Sequence, residues 1–199
     1  MSPRRADDDD ALDVLERRLG YRFVDRELLR LALTHRSHGN TNNERLEFLG
    51  DAALGLIVAD WLYRLFPDAR EHDLTVMRAS LVRRQSLARV AREIELGQHL
   101  RLGTGERKSG GHGRESILAD TLEAVLGAVM REGGFAAAGV VVATMLARYM
   151  SEVDVKMARD SKTVLQELLQ ARRLALPEYS ITAQSGDAHT PEFTVACRI

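Results

Sequence analysis

Asn43-Glu44-Arg45-Leu46-Glu47-Phe48-Leu49-Gly50-Asp51-Ala52 opens a stretch in which, from Leu46 to Ala59, the only charges are the carboxylates of Glu47 and Asp51. The i, i+4 spacing puts both on one face of a helix. A second stretch, Ser116-Ile117-Leu118-Ala119-Asp120-Thr121-Leu122-Glu123-Ala124, has the same character: between Ile117 and Met130 the only charges are Asp120 and Glu123. Carboxylates held against apolar surface are costly unless a cation or hydrogen-bond donors answer them. Small neighbours (Gly50, Ala52, Ala119, Ala124, Gly127) let ions or backbones come close. Four oxygen ligands with no cysteine or histidine beside them suit a hard divalent ion such as Mg²⁺, and with it metal-assisted hydrolysis of a phosphodiester. Buried salt bridges to Arg45 or Arg78 are the structural alternative, and spacing alone does not separate the two.

Around these stretches, most of the first 150 residues read as helix. Leu12, Leu15 and Leu19 form a stripe that stops at Gly20, and Asp25 is an N-cap for a second helix. After a polar loop from Gly39 to Asn43, a long helix runs from about Glu44 to Phe66 and is closed by Pro67. Another is expected from Leu74 to Ile94, its segment Met77–Arg92 carrying Arg78, Arg83, Arg84, Arg89 and Arg92 with no acid. Past a glycine-rich loop come the helix that bears Asp120 and one from Phe135 to Met150. A change of character after Glu152 suggests a linker, a short helix from Lys162 to Arg173, and two alternating strands around Tyr179–Ala183 and Phe193–Ile199 joined by Ser185-Gly186-Asp187. The fold class is therefore mainly α: an all-helical domain, then an incomplete α+β (α-β-β) module. The expected division is a disordered acidic tail at 1–10, a catalytic domain at 11–150, a linker at 151–159 and the module at 160–199.

A hydrophobic content of 45% with 29% charged residues over 199 residues is that of a soluble globular chain. No stretch is expected to cross a bilayer, and the N-terminus lacks the apolar segment of a signal peptide. The single cysteine, Cys197, excludes an internal disulfide and fits a cytoplasmic location. A net charge of −1 does not itself favour a nucleic-acid partner, although distribution outweighs the sum. Gly103-Thr104-Gly105-Glu106-Arg107-Lys108-Ser109-Gly110-Gly111 lacks the Gly-Lys-Ser/Thr ending of a phosphate loop. It reads instead as a basic loop whose Lys108 and Ser109 touch a nucleic-acid backbone, or as an ordinary connector. His72-Asp73 matches the dipeptide of the metal-dependent His-Asp phosphohydrolases, with His35 and Asp120 as nominal partners. That reading leaves Glu47, Asp51 and Glu123 unexplained, and His35 suits a hydrogen-bonded structural role.

Asn43–Asp51 closely resembles the signature of the ribonuclease III family. Leu33-Thr34-His35-Arg36-Ser37, Met77-Arg78-Ala79-Ser80-Leu81-Val82, Gly105–Gly111 and Glu115–Asp120 agree with it in order and spacing. The resemblance implies that Glu47, Asp51, Asp120 and Glu123 bind Mg²⁺, for which Mn²⁺ is expected to substitute, with no small-molecule cofactor. Asp51 and Glu123 would be catalytic, with Glu44 and Glu71 in support. It also implies a homodimer in which Phe48 plugs a socket on the partner subunit; an ordinary core phenylalanine would look the same from sequence. The expected activity is endonucleolytic cleavage of double-stranded RNA to 5′-phosphate and 3′-hydroxyl ends, acting on ribosomal RNA precursors and structured messenger or transfer RNA transcripts. A non-catalytic double-stranded-RNA-binding regulator is the competing class.

The tail resembles a double-stranded-RNA-binding domain. Lys162-Thr163-Val164-Leu165-Gln166-Glu167 matches its first helix, with Thr163 and Gln166 facing the minor groove, and Ser185–Pro191 with His189 matches a second groove-reaching loop. The family's third strand and basic second helix would follow Ile199.

Overall fold

The computed structural model describes residues 3–152, 161–185 and 192–198. The chain divides into two compact units, Met1–Asp154 and Val155–Ile199.

The first unit is helical: α1 (Pro3–Leu19), α2 (Arg26–Ala32), α3 (Glu44–Leu65), α4 (Glu71–Val82), α5 (Arg84–Glu93), α6 (Thr104–Lys108) and α7 (Glu115–Glu152), with single 3₁₀ turns at Leu96–His99 and Gly111–Gly113. The apolar stripes read from sequence do form the core. Leu15 and Leu19 of α1, Leu54, Val58 and Leu62 of α3, and Leu118, Leu122 and Leu126 of α7 are all essentially inaccessible to solvent. Asp25 caps α2 by accepting from the backbone N–H groups of Glu27 and Leu28.

Four expectations are corrected. The residues expected to be a disordered tail are helical from Pro3 onward, because proline suits the first helical position and no glycine or further proline interrupts the chain before Gly20. The helix expected over 74–94 is two helices. Arg83 between them is extended (φ −62°, ψ 149°), and the Ser86 hydroxyl satisfies the Ser80 carbonyl at 2.7 Å across the break. The helices expected at Asp120 and at 135–150 form one element, interrupted only at Gly134, whose φ of +74° and ψ of −174° only glycine adopts readily; that element runs on to Glu152, so residues 151 and 152 are helical and not linker. By length and composition alone, Glu115–Met150 is also long and apolar enough to cross a membrane. In this fold the same apolar content builds the core: Ala124, Val125, Ala128 and Val129 are buried among the other helices.

In the second unit α8 (Ser161–Ala171) precedes an antiparallel hairpin of β1 (Glu178–Ser185) and β2 (Glu192–Arg198). Tyr179 pairs with Cys197 and Ile181 with Val195, and a bulge shifts the register between Ile181 and Ala183. Leu169 of α8 is buried, while Ile181 and Val195 are exposed. The expected turn at Gly186-Asp187, His189 and most of the linker lie outside the described residues.

Candidate active site

Two glycines set the depth of the site. Where α3 and α7 cross, a Cβ on Gly50 would fall 1.7 Å from the carbonyl oxygen of Glu123, and one on Gly127 would fall 2.0 Å from that of Leu46. Only hydrogen fits at either position, so the two backbones touch. Beside this crossing, Glu47 and Asp51 on α3 and Asp120 and Glu123 on α7 line one hollow. Ligand oxygens of Glu47, Asp120 and Glu123 all lie within 4.8 Å of one another. Asp51 lines the same hollow, of about 620 Å³, without joining that tight trio.

The electrostatics match the geometry. Burial, followed by repulsion from Asp51, Asp120 and Glu47, pushes the Glu123 carboxyl up from its ordinary 4.5 to about 8, with Arg84 pulling the other way. Glu47 is raised by burial and by Asp120 and Glu44. Asp120 is raised by burial against the opposing pull of Arg84, His35 and Arg36. Neither these three nor Asp51 makes an ion pair within 4.0 Å among the described residues, so the salt-bridge alternative to Arg45 or Arg78 fails. Crowded, half-buried carboxylates are what a divalent oxygen-ligated ion would relieve. The donor set fits such an ion.

The hollow's walls hold residues that spacing did not single out. Glu106 lines it and is tied to Arg114 at 2.8 Å, which fastens α6 to the start of α7. Asn43 is buried and donates its side-chain amide to the Ala32 carbonyl at 3.1 Å, fixing the entry to α3. Arg36 on the rim pairs with Glu44 at 3.6 Å. His35 also lines the hollow; its Nδ1 accepts from the Ser37 N–H at 3.2 Å, and the Ser37 hydroxyl accepts from the Gly103 N–H at 3.0 Å. Burial lowers the His35 pKa. No periodicity links residue 106 to 114 or 37 to 103; the motif blocks at Leu33–Ser37 and Gly105–Gly111 marked parts of that wall, but not the contacts between them.

The other expected residues fall in different places. Glu44 lines the hollow. Glu71 does not: at the start of α4 it is exposed and accepts from the Thr75 hydroxyl at 2.9 Å. His72 and Asp73 are also outside the hollow, with Asp73 buried inside its own helix packing, so the His-Asp phosphohydrolase constellation does not assemble. Phe48 is 80% exposed at the hollow's edge, which removes the core reading. Lys108 and Ser109 are exposed on α6 and just after it, and Ser109 donates to the Glu106 carbonyl at 3.0 Å. Thr163 and Gln166 lie one turn apart on α8.

Residues 25–150 match the Ribonuclease-III-like family, and residues 161–199 match the double-stranded RNA binding motif. The chain is 51% identical over 190 residues to Ribonuclease 3 of Bordetella pertussis, covering 95% of this chain and 74% of that protein. It is similar to the crystal structure of the nuclease domain of ribonuclease III from Campylobacter jejuni, with 40% identity, a TM-score of 0.68, and coverage of 71% of this chain and 97% of that one. A second structure of that Campylobacter jejuni domain, at 41% identity and a TM-score of 0.68 over 69% of this chain and 96% of that one, concerns flexibility in a region involved in dimer formation.

Proposed function

Because the chain belongs to the ribonuclease III family and is a ribonuclease III-type endoribonuclease for double-stranded RNA, we propose that its reaction is Mg²⁺-dependent hydrolysis in the hollow between α3 and α7. The convergence of Glu47, Asp120 and Glu123 carries this reading. These three would hold the ion, with Asp51 beside them. Mn²⁺ would serve in the same oxygen set. The bound ion would supply a water of lowered pKa and neutralise charge at the scissile phosphate. Arg36 and Arg114, at the rim, offer guanidinium groups toward the RNA backbone, while Glu44 holds Arg36 in place. Hydrolysis that leaves the bridging oxygen on the 3′ side gives 5′-phosphate and 3′-hydroxyl ends.

A homodimer supports cleavage of both strands. Phe48 is exposed on α3 with Leu56 and Tyr63 along the same helix, an apolar surface suited to a second copy, with Phe48 entering a socket on the partner subunit. Two hollows then face one duplex, and staggered cuts leave short 3′ overhangs. Glu71 is assigned a supporting role at the edge of the duplex path. Thr163, Gln166 and His189 of the second unit would reach minor grooves, and Lys108 and Ser109 the backbone near the cut; recognition rests on A-form shape and 2′-hydroxyls. Ribosomal RNA precursors and structured transcripts in the cytoplasm are the proposed substrates.

The test is digestion of a long RNA duplex with Mg²⁺ or with a chelator, followed by mapping of product ends. Short duplexes with 5′ phosphates and 3′ overhangs, in Mg²⁺ alone, support the reading. An uncut but tightly bound duplex would assign the chain to the non-catalytic regulators.

A further inference from the structure

Behind the wall of the catalytic hollow lies a second one, of about 480 Å³. Residues of one segment divide between the two. Glu106, Arg114 and Ile117 face the catalytic side, whereas Arg107, His112 and Leu118 face the second hollow. Arg92, at the C-terminal end of α5, and Gln98 close its other side, over a floor that includes Leu100 and Leu102. Gly97 permits this close approach, since a Cβ there would fall 2.3 Å from the His112 carbonyl oxygen.

The charge in this hollow is one-sided. Its only acid is Glu95, which is already paired with Arg18 at 2.9 Å. Arg92 and Arg107 are exposed, and neither guanidinium has a hydrogen-bonded or acidic partner among the described residues. His112 is exposed beside them. Their neighbours elsewhere differ: Arg89 reaches Glu93 and stacks on Tyr149, and Arg114 is held by Glu106. Arg84, at the opposite end of α5, acts on both Asp120 and Glu123. One helix therefore links the catalytic acids at its start to the second hollow at its end.

We propose that Arg92, Arg107 and His112 form a second RNA-backbone subsite, gripping phosphates of the duplex on the far side of the α6 wall from the cut. The proposal rests on the duplex-RNA reading above. Two unpaired guanidiniums offer fork-shaped donors for phosphate oxygens, and Gln98 supplies a group able to bond a 2′-hydroxyl. Such contacts raise affinity without reading sequence. The subsite extends the footprint beyond the scissile phosphate and should act on substrate binding more than on the chemical step.

The experiment pairs Arg92→Ala/Arg107→Ala with a control, Arg22→Glu, which removes positive charge at a different hollow. Duplex-RNA affinity is measured between 50 and 200 mM salt, values chosen as about the range over which counterion release is resolved, in a Glu123→Ala background so that the RNA stays intact. The double variant should bind roughly tenfold more weakly, with a log–log salt slope shallower by about one to two. In the active background KM should rise with kcat and melting temperature unchanged. Parental affinity and slope in the double variant would overturn the subsite, as would an equal loss in Arg22→Glu, which would show only net charge at work. Failure of the parental protein to bind duplex RNA would overturn the underlying reading, and the subsite with it.

Discussion

At Glu123, burial and three neighbouring carboxylates hold a proton up to about pH 8. The sign of the consequence is fixed. Between 4.5 and about 8 the folded, metal-free protein keeps a proton that the unfolded chain has released. Its stability should therefore fall as pH rises through that window. A divalent ion needs the ionised carboxylate, so apparent Mg²⁺ affinity should climb with pH below about 8, approaching tenfold per unit for one displaced proton. Thermal shift against Mg²⁺ at pH 6, 7 and 8 reads both effects, and an affinity that is flat with pH would contradict them. Glu47→Gln, which removes one charge from the trio, should raise the Glu123 carboxyl less and weaken Mg²⁺ binding by at least tenfold, an estimate of about 1.4 kcal/mol for one lost charged ligand; titration with the metal checks it. At this scale the sequence was informative where acids interrupt apolar runs. It was silent on the pairing of Glu106 with Arg114, because a contact across a loop leaves no periodic trace.

Among the elements, the crossing of α3 and α7 carries the site. Gly127→Ala would set a methyl group 2.0 Å from the Leu46 carbonyl oxygen and push the helices apart. The cost expected for such overpacking is about 1–3 kcal/mol, and the trio would separate with it. Chemical denaturation should show that loss, accompanied by a drop in cleavage larger than the unfolded fraction explains. An alanine variant with parental stability and rate would show that the close approach is not needed. The glycines stood out in the sequence as small neighbours of the acids, but their reciprocal fit belongs to the pairing of two distant segments. The break at Arg83 was not legible: neither glycine nor proline marks it, and the chain turns there through backbone angles that any residue adopts. The course of α1 through the aspartates at 7–10 was likewise not legible, since composition alone favoured a tail there.

For the whole molecule, Phe48, exposed beside the hollow, would tie assembly to catalysis in the proposed homodimer. Phe48→Glu should shift the protein from dimer to monomer in analytical ultracentrifugation and reduce double-strand cleavage at least tenfold, an order-of-magnitude expectation for losing a buried aromatic anchor; a variant that stays dimeric would remove Phe48 from the interface. Sequence alone left this phenylalanine between core and surface, because both fates give the same helical spacing. The division into a helical unit and an α-β-β unit was visible from the change of character after Glu152 and from the period of two that sets in near Tyr179. The acid trio is the proposed cleavage centre for duplex RNA. The direct measurement is duplex binding and cleavage, side by side, for the parental chain and Glu123→Ala in Mg²⁺. The variant should bind the duplex as the parent does and leave it uncut. Cleavage by Glu123→Ala at the parental rate would contradict that assignment.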